Sequence, residues 1–169
     1  MNYIQQAYKG QLGMWKYLII PILFFGLMGL NFLALVLLDL DVDKIIQTEI
    51  ENKGATRFFT ESLIPFAIGL VAVLLWTKFV HQQSLTSLTT SRKKIDWKRV
   101  FFAFFLWGII TTAFLMVDYF LSPENYQWNF NLNKFLVLLV IAVLLIPLQT
   151  SFEEYLFRGH LMQGLGVAT

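Results

Sequence analysis

The chain has 169 residues, of which 57% are hydrophobic and only 14% charged, and its mean hydropathy is +0.61. Globular domains carry about 25% charged residues, so this composition excludes an ordinary soluble domain and predicts an integral membrane protein. The formal net charge of +2 is too small to favour nucleic acid as a partner. Membrane lipids are therefore the expected surroundings.

Four long apolar segments predict an all-α fold, a multi-pass transmembrane bundle of about four membrane helices. The first segment, residues 17–38, is about 33 Å long as a helix, which is enough to cross the hydrocarbon. It is longer than the core of a signal peptide, so we expect it to remain uncleaved. The others are predicted at residues 58–79, at residues 100–121 and from residue 135 onward.

The predicted organisation has three parts. Residues 1–16 form an N-terminal interfacial segment, because Lys9, Trp15 and Lys16 favour the membrane boundary. Residues 17–133 contain the first three transmembrane helices and their loops. Residues 134–169 hold the fourth helix and the charged segment that follows its apolar run.

The loops indicate how the chain is oriented in the membrane. The loop of residues 81–99 has a single acid, Asp96, against five basic residues, Arg92, Lys93, Lys94, Lys98 and Arg99. Because short loops rich in Lys and Arg stay cytoplasmic, we expect a cell-membrane protein whose N-terminus and fourth-helix end are cytoplasmic. The acidic loop of residues 39–57 is then external; we interpret it as a solvated loop, which a short helix would also fit.

The chain contains no cysteine and two histidines, His81 and His160. This excludes a disulfide framework, a thiolate nucleophile and a metal site made of three histidines. We interpret His81 as a solvated residue of the basic loop. His160 is interpreted as an ordinary helix residue, and a polar contact with Glu153 is the alternative.

Charged residues follow directly on the apolar run of the fourth helix. In a regular helix Glu154 and Arg158 lie on one face and can pair, whereas Glu153 points about 100° away. Burial and the neighbouring charge should raise the pKa of Glu153, which suits a general base, while Glu154 has a structural role. The alternative is that all three charges form a buried network joining helices, with Gly159 and Gly164 allowing close approach.

The segment Glu153-Glu154-Tyr-Leu-Phe-Arg158-Gly resembles the E-E-x-x-x-R signature of the CPBP intramembrane proteases, the CAAX prenyl endopeptidase and bacteriocin-processing (Abi) group. The resemblance implies hydrolysis of a peptide or protein substrate at the membrane. Glu153 would activate the water, and Glu154 and Arg158 would support it as further catalytic residues. It also implies a divalent metal such as zinc in the full-length protease, and none held by this chain alone.

The later signatures of that family, Phe-x-x-x-His and His-x-x-x-Asn or Asp, do not occur in the chain. Peptide hydrolysis also needs a group that stabilises the oxyanion and an acid for the leaving amine. We therefore expect the chain to be the N-terminal portion of a longer protease and to be inactive by itself. The alternative is a non-catalytic membrane protein with a bacteriocin-immunity or scaffold role.

Overall fold

The computed structural model describes residues 2–168, and the protein is 82% helical, with no strand in that range. Seven α-helices follow one another along the described chain: α1 Met14–Leu37, α2 Val42–Lys53, α3 Ala55–Phe79, α4 Leu85–Thr89, α5 Trp97–Leu121, α6 Leu132–Glu154 and α7 Met162–Ala168. Two 3-10 turns occupy Ile4–Lys9 and Pro123–Asn125, and a π-helical turn, Tyr155–Leu161, joins α6 to α7.

Four helical segments are long and apolar enough to cross a membrane: α1, α3, α5 and the continuous stretch Leu132–Val167. The predicted all-α fold with four membrane helices is thus confirmed. Each span begins within three residues of its predicted start. The acidic loop contains helix α2, whose first turn is capped by the Asp41 carboxylate accepting from Lys44 N.

The membrane core forms where α3 packs along α6 and α1 crosses both helices. Its buried side chains are Ile20, Leu70, Val73, Phe152 and Leu156. The absence of a side chain at Gly69 makes the contact possible, because a Cβ there would lie 2.7 Å from Cε2 of Phe152. Small residues that permit such close approach are typical of helix contacts inside membranes.

Phe152 lies near the middle of the two helices that it contacts. It packs against Gly69 of α3, and its ring centroid is 4.7 Å from that of Phe24 in α1. Gly69 is ten residues before the end of α3 and Phe24 ten residues after the start of α1. At a rise of about 1.5 Å per residue, both are about 15 Å from those ends, which is about half the hydrocarbon thickness.

One end of the bundle is tightly closed. The N-terminal 3-10 turn packs against α7, and α4 packs against both that turn and the π-helical turn. We call these four elements the closed end. The segment predicted to be interfacial is therefore part of the folded core there, and the N-terminus, the basic loop and α7 share one end of the molecule, as the predicted topology requires.

Helix α5 differs from the other membrane-length helices in that its side chains are not packed into the core. None of its 25 residues is buried. Its exposed large side chains include aromatic residues at most turns, for example Phe101, Phe102, Phe104, Phe105 and Trp107. The helix thus meets the length and composition for a membrane span without packing into the core formed by α1, α3 and α6.

Candidate functional site

The predicted ion pair of the motif is present. Nη1 of Arg158 lies 2.6 Å from Oε1 of Glu154, four residues earlier in the chain. The two side chains are 64% and 55% exposed, respectively. In the described part of the chain the three charges therefore do not form a buried network, and that alternative is not supported.

Glu153 differs from its neighbour in having no ion pair among the described residues. Its one polar contact is long, 3.5 Å between Oε1 and the amide Nε2 of Gln149 on the preceding turn. The side chain is exposed, so the burial that we expected for it is wrong for residues 2–168. The two carboxylates nevertheless separate as helical geometry predicts, since one is paired with a cation and the other is not.

The depth of these carboxylates is their most unusual property. Glu153 and Glu154 directly follow Phe152, which lies near the midpoints of α1 and α3. A charged side chain in the hydrocarbon costs several kcal/mol and normally faces water or another polar group. Both carboxylates therefore require a polar environment at about the level of the midpoints of α1 and α3.

A groove of about 860 Å³ provides part of that environment on the side of the Glu154–Arg158 pair. It runs between the motif helix and the loop that follows α4. Hydroxyl groups line much of it, those of Thr89, Thr90, Ser91, Thr150 and Ser151. Glu153 is not among its lining residues, so the groove borders the ion pair and not the unpaired carboxylate.

Two tyrosines, one from the motif turn and one from the N-terminal segment, form hydrogen bonds to the end of α4 beside this groove. The Tyr155 hydroxyl shares a hydrogen bond with Oγ1 of Thr89 at 2.8 Å. The Tyr3 hydroxyl donates to the Leu88 carbonyl at 2.5 Å. Burial raises the pKa of Tyr3, and the Glu154 carboxylate adds to that effect, so the phenol stays protonated and keeps its donor role.

His160 does not occupy the position that a regular helix predicts. The π-helical turn widens the helix between Glu153 and His160, so seven residues no longer make almost two whole turns. His160 is completely buried, and its ring contacts those of His81 and Tyr17 at centroid distances of 5.2 and 5.1 Å. A polar contact between His160 and Glu153 is therefore not found among residues 2–168, and the interpretation of His160 as an ordinary helix residue stays a prediction.

The interpretation of His81 as a solvated loop residue is also wrong, because its side chain is 0% exposed. The chain after the N-terminal 3-10 turn folds over it, and Gln11 N donates to the His81 carbonyl at 2.6 Å. The ring nitrogen Nδ1 lies 3.0 Å from the Gln11 carbonyl oxygen. Burial lowers the pKa of His81, so the imidazole is neutral near pH 7.

The sequence did not reveal this buried polar cluster, because its members come from two distant segments, residues 81–87 and 160–163. Beside the two histidines, Gln83 donates to Oε1 of Gln163 at 2.9 Å, and Gln163 donates to the Ser87 carbonyl at 3.2 Å. One signal was available. A histidine within an apolar membrane helix is expensive and marks a site by default.

Comparisons with known proteins give little functional information. No family profile matches the chain, and no solved structure matches it. The chain is 27% identical over 176 aligned residues to "Uncharacterized protein YyaK" of Bacillus subtilis (strain 168). The alignment covers all of this chain and 59% of that protein, so the chain spans less than two thirds of the length of this relative.

Proposed function

We propose that the chain carries the water-activating motif of an intramembrane endopeptidase of the CPBP type. The observation that carries the proposal is a carboxylate, Glu153, that has no ion pair among the described residues and lies beside a paired one, near the level of the midpoints of α1 and α3. Desolvation of a charged side chain in a membrane helix is costly, so a residue of this kind is by default a candidate for a functional site. The likeness of the segment to the E-E-x-x-x-R signature supports the same chemistry.

In this mechanism Glu153 accepts a proton from water as the water attacks the substrate carbonyl. Arg158 pairs with Glu154, so Glu153 is the carboxylate of the motif that no cation of the described residues holds, and it is the one that takes the proton. The oxyanion-stabilising group and the acid for the leaving amine are not provided by the motif. They belong to other residues of the active protease.

The described residues do not fit a catalytic zinc at the motif. Among residues 2–168 there is no group of three or more His, Cys, Asp or Glu side chains placed to hold a metal. Catalytic zinc sites use three protein ligands, and here Glu154 is held by Arg158, which leaves Glu153 alone. The proposed role of Glu153 is therefore that of a base.

The decisive experiment compares Glu153→Gln with Glu124→Gln, each introduced into the gene in its own host. New N-termini of membrane proteins are quantified by mass spectrometry. We expect Glu153→Gln to reduce the dependent cleavages by at least about 100-fold, the typical contribution of a general base. Its abundance should stay normal, because the side chain is exposed and unpaired. Glu124, an exposed residue of a short 3-10 turn, is the matched control.

Two outcomes would contradict the proposal. The first is that cleavage products persist in Glu153→Gln, and the second is that they are missing from the wild type as well. The second of these outcomes would favour the non-catalytic alternative, an immunity or scaffold role.

We also propose that the closed end faces the cytoplasm, as the basic loop indicates. Single cysteines can test this cleanly, because the chain has none of its own. Ser91→Cys should react with a membrane-impermeant maleimide only after the cells are opened, and Asp43→Cys should react in intact cells. The reverse pattern would exclude this orientation.

A further inference from the structure

The closed end contains polar atoms for which the described chain offers no hydrogen-bond partner. They are Oε1 of Gln6, Nε2 of His81, both ring nitrogens of His160 and the hydroxyls of Tyr17 and Thr77. His81, His160 and Thr77 are 0% exposed, and Tyr17 is 3% exposed. A buried polar group without a partner costs about 1–3 kcal/mol, so several of them together indicate a missing ligand.

The hydrogen bond of His81 decides which of its nitrogens is free. Nδ1 lies 3.0 Å from the Gln11 carbonyl oxygen, which can only accept, so Nδ1 carries the proton. In the neutral ring Nε2 then holds a lone pair. Histidines that bind metals almost always donate their other ring N–H in this way, commonly to a backbone carbonyl.

His160 has a similar arrangement. The backbone groups of Lys16 and Tyr17 approach its ring without completing a hydrogen bond of good geometry. Within α1, Pro21 has no N–H to offer the Tyr17 carbonyl four residues earlier, so this oxygen remains free to accept. One nitrogen of His160 can thus be held as a donor, which leaves the other with a lone pair.

The spacing of the two rings fits a shared ion. Their centroids are 5.2 Å apart and their planes are inclined by 73°. Two imidazoles on one tetrahedral zinc, with Zn–N bonds of about 2.0–2.1 Å, have centroids about 5 Å apart. The Tyr17 ring contacts both imidazoles, and its buried hydroxyl has no hydrogen-bond partner among the described residues, so it is the candidate for a further oxygen ligand.

We propose that the closed end binds one transition-metal ion of the zinc type, with Nε2 of His81 and one nitrogen of His160 as ligands and the Tyr17 hydroxyl as a third. Imidazole nitrogen selects Zn²⁺, Cu²⁺ or Ni²⁺ over Mg²⁺ and Ca²⁺, which prefer oxygen ligands. The site is separate from the Glu-Glu motif and does not depend on the proposed protease function. Its ion joins α1, the end of α3 and the π-helical turn.

A structural role follows from the place of His160, two residues after Arg158 and within the same π-helical turn. An ion at His160 fixes that turn against the start of α1. Because a ligand that binds only the folded state stabilises it, zinc should raise the thermal midpoint of the protein. Removal of zinc should loosen the closed end first.

The first test is a zinc titration of the full chain, purified in detergent with a tag that contains no histidine and stripped with EDTA. We expect one Zn²⁺ per chain and no competition from Mg²⁺. His81→Gln and His160→Gln should each weaken binding by about 100-fold or more, and Tyr17→Phe by about tenfold. Asp39→Asn and Asp43→Asn, in the exposed acidic segment, should change nothing.

A second test needs no variant and so remains valid if a histidine variant does not fold. Cu²⁺ is bound in place of zinc, and its electron paramagnetic resonance spectrum is recorded on protein with ¹⁵N-labelled histidine. Because the chain has two histidines in total, coupling to two imidazole nitrogens identifies both ligands. Absence of imidazole coupling, or stoichiometric zinc binding that survives in the double His81→Gln/His160→Gln variant, would overturn the proposal.

Discussion

Helices α3 and α5 have the same length, 25 residues, and both can cross a membrane, yet they differ completely in packing. Four residues of α3 are buried, whereas α5 buries none. The surface of α3 includes Gly69, into which Phe152 of α6 fits, but Gly108 of α5 has no atom within 4 Å of its Cβ position. Apolar character is thus enough for a helix to be long and apolar enough to span a membrane. Packing into the core also requires small residues that contact a neighbouring helix.

The largest expected loss of stability is that of a truncation in the core, where α6 packs against α3. Phe152→Ala removes a ring that is 1% exposed and packs against Phe24, Phe66 and Gly69. Such truncations destabilise by about 3–5 kcal/mol, through lost burial and the cavity that remains. Phe102→Ala on α5, where the side chain is 69% exposed, should leave stability nearly unchanged. Denaturant titration in mixed micelles measures both, and equal losses would show that α5 has a packing partner.

A smaller effect is expected where a side chain is added at the closed end. A Cβ at Gly164 would lie 2.3 Å from Cγ of Tyr17, so Gly164→Ala forces α7 away from α1. Overpacking of this kind costs about 1–3 kcal/mol. Gly26→Ala is the matched control in α1, since nothing lies within 4 Å of its Cβ position. The thermal midpoint should fall for the first variant alone, and an unchanged midpoint in Gly164→Ala would contradict the tight docking of α7.

The smallest effect is expected for the ion pair of the motif. Because both side chains are more than half exposed and border the groove whose lining includes five serine and threonine hydroxyls, a double-mutant cycle of Glu154→Gln and Arg158→Gln should give a coupling below about 1 kcal/mol in this chain. The measurement is the unfolding free energy of the two single variants and the double variant. A coupling of about 3 kcal/mol or more would mean that the pair is buried by a further element.

The sequence allowed a large part of the fold and the ion pair of the motif to be predicted. The four spans follow from the length of the apolar runs, and the Glu154–Arg158 pair follows from a spacing of four residues in a helix. Both are local properties. The π-helical turn could not be foreseen, because it depends on how residues 155–161 fit against α1, α3 and α4, and it moved His160 away from the face of Glu153.

The sequence by itself determined that this protein is a helical membrane protein with two adjacent carboxylates on one of its spans, because hydropathy and helical spacing are encoded in neighbouring residues. Only the tertiary structure decided that these carboxylates lie near the middle of the bundle, since their depth depends on the contact of Phe152 with Gly69 and Phe24. It also decided that His81 and His160 meet, although they are 79 positions apart in the chain. Contacts between distant segments leave no periodic pattern in the sequence, and these two residues meet where α3 packs against the π-helical turn.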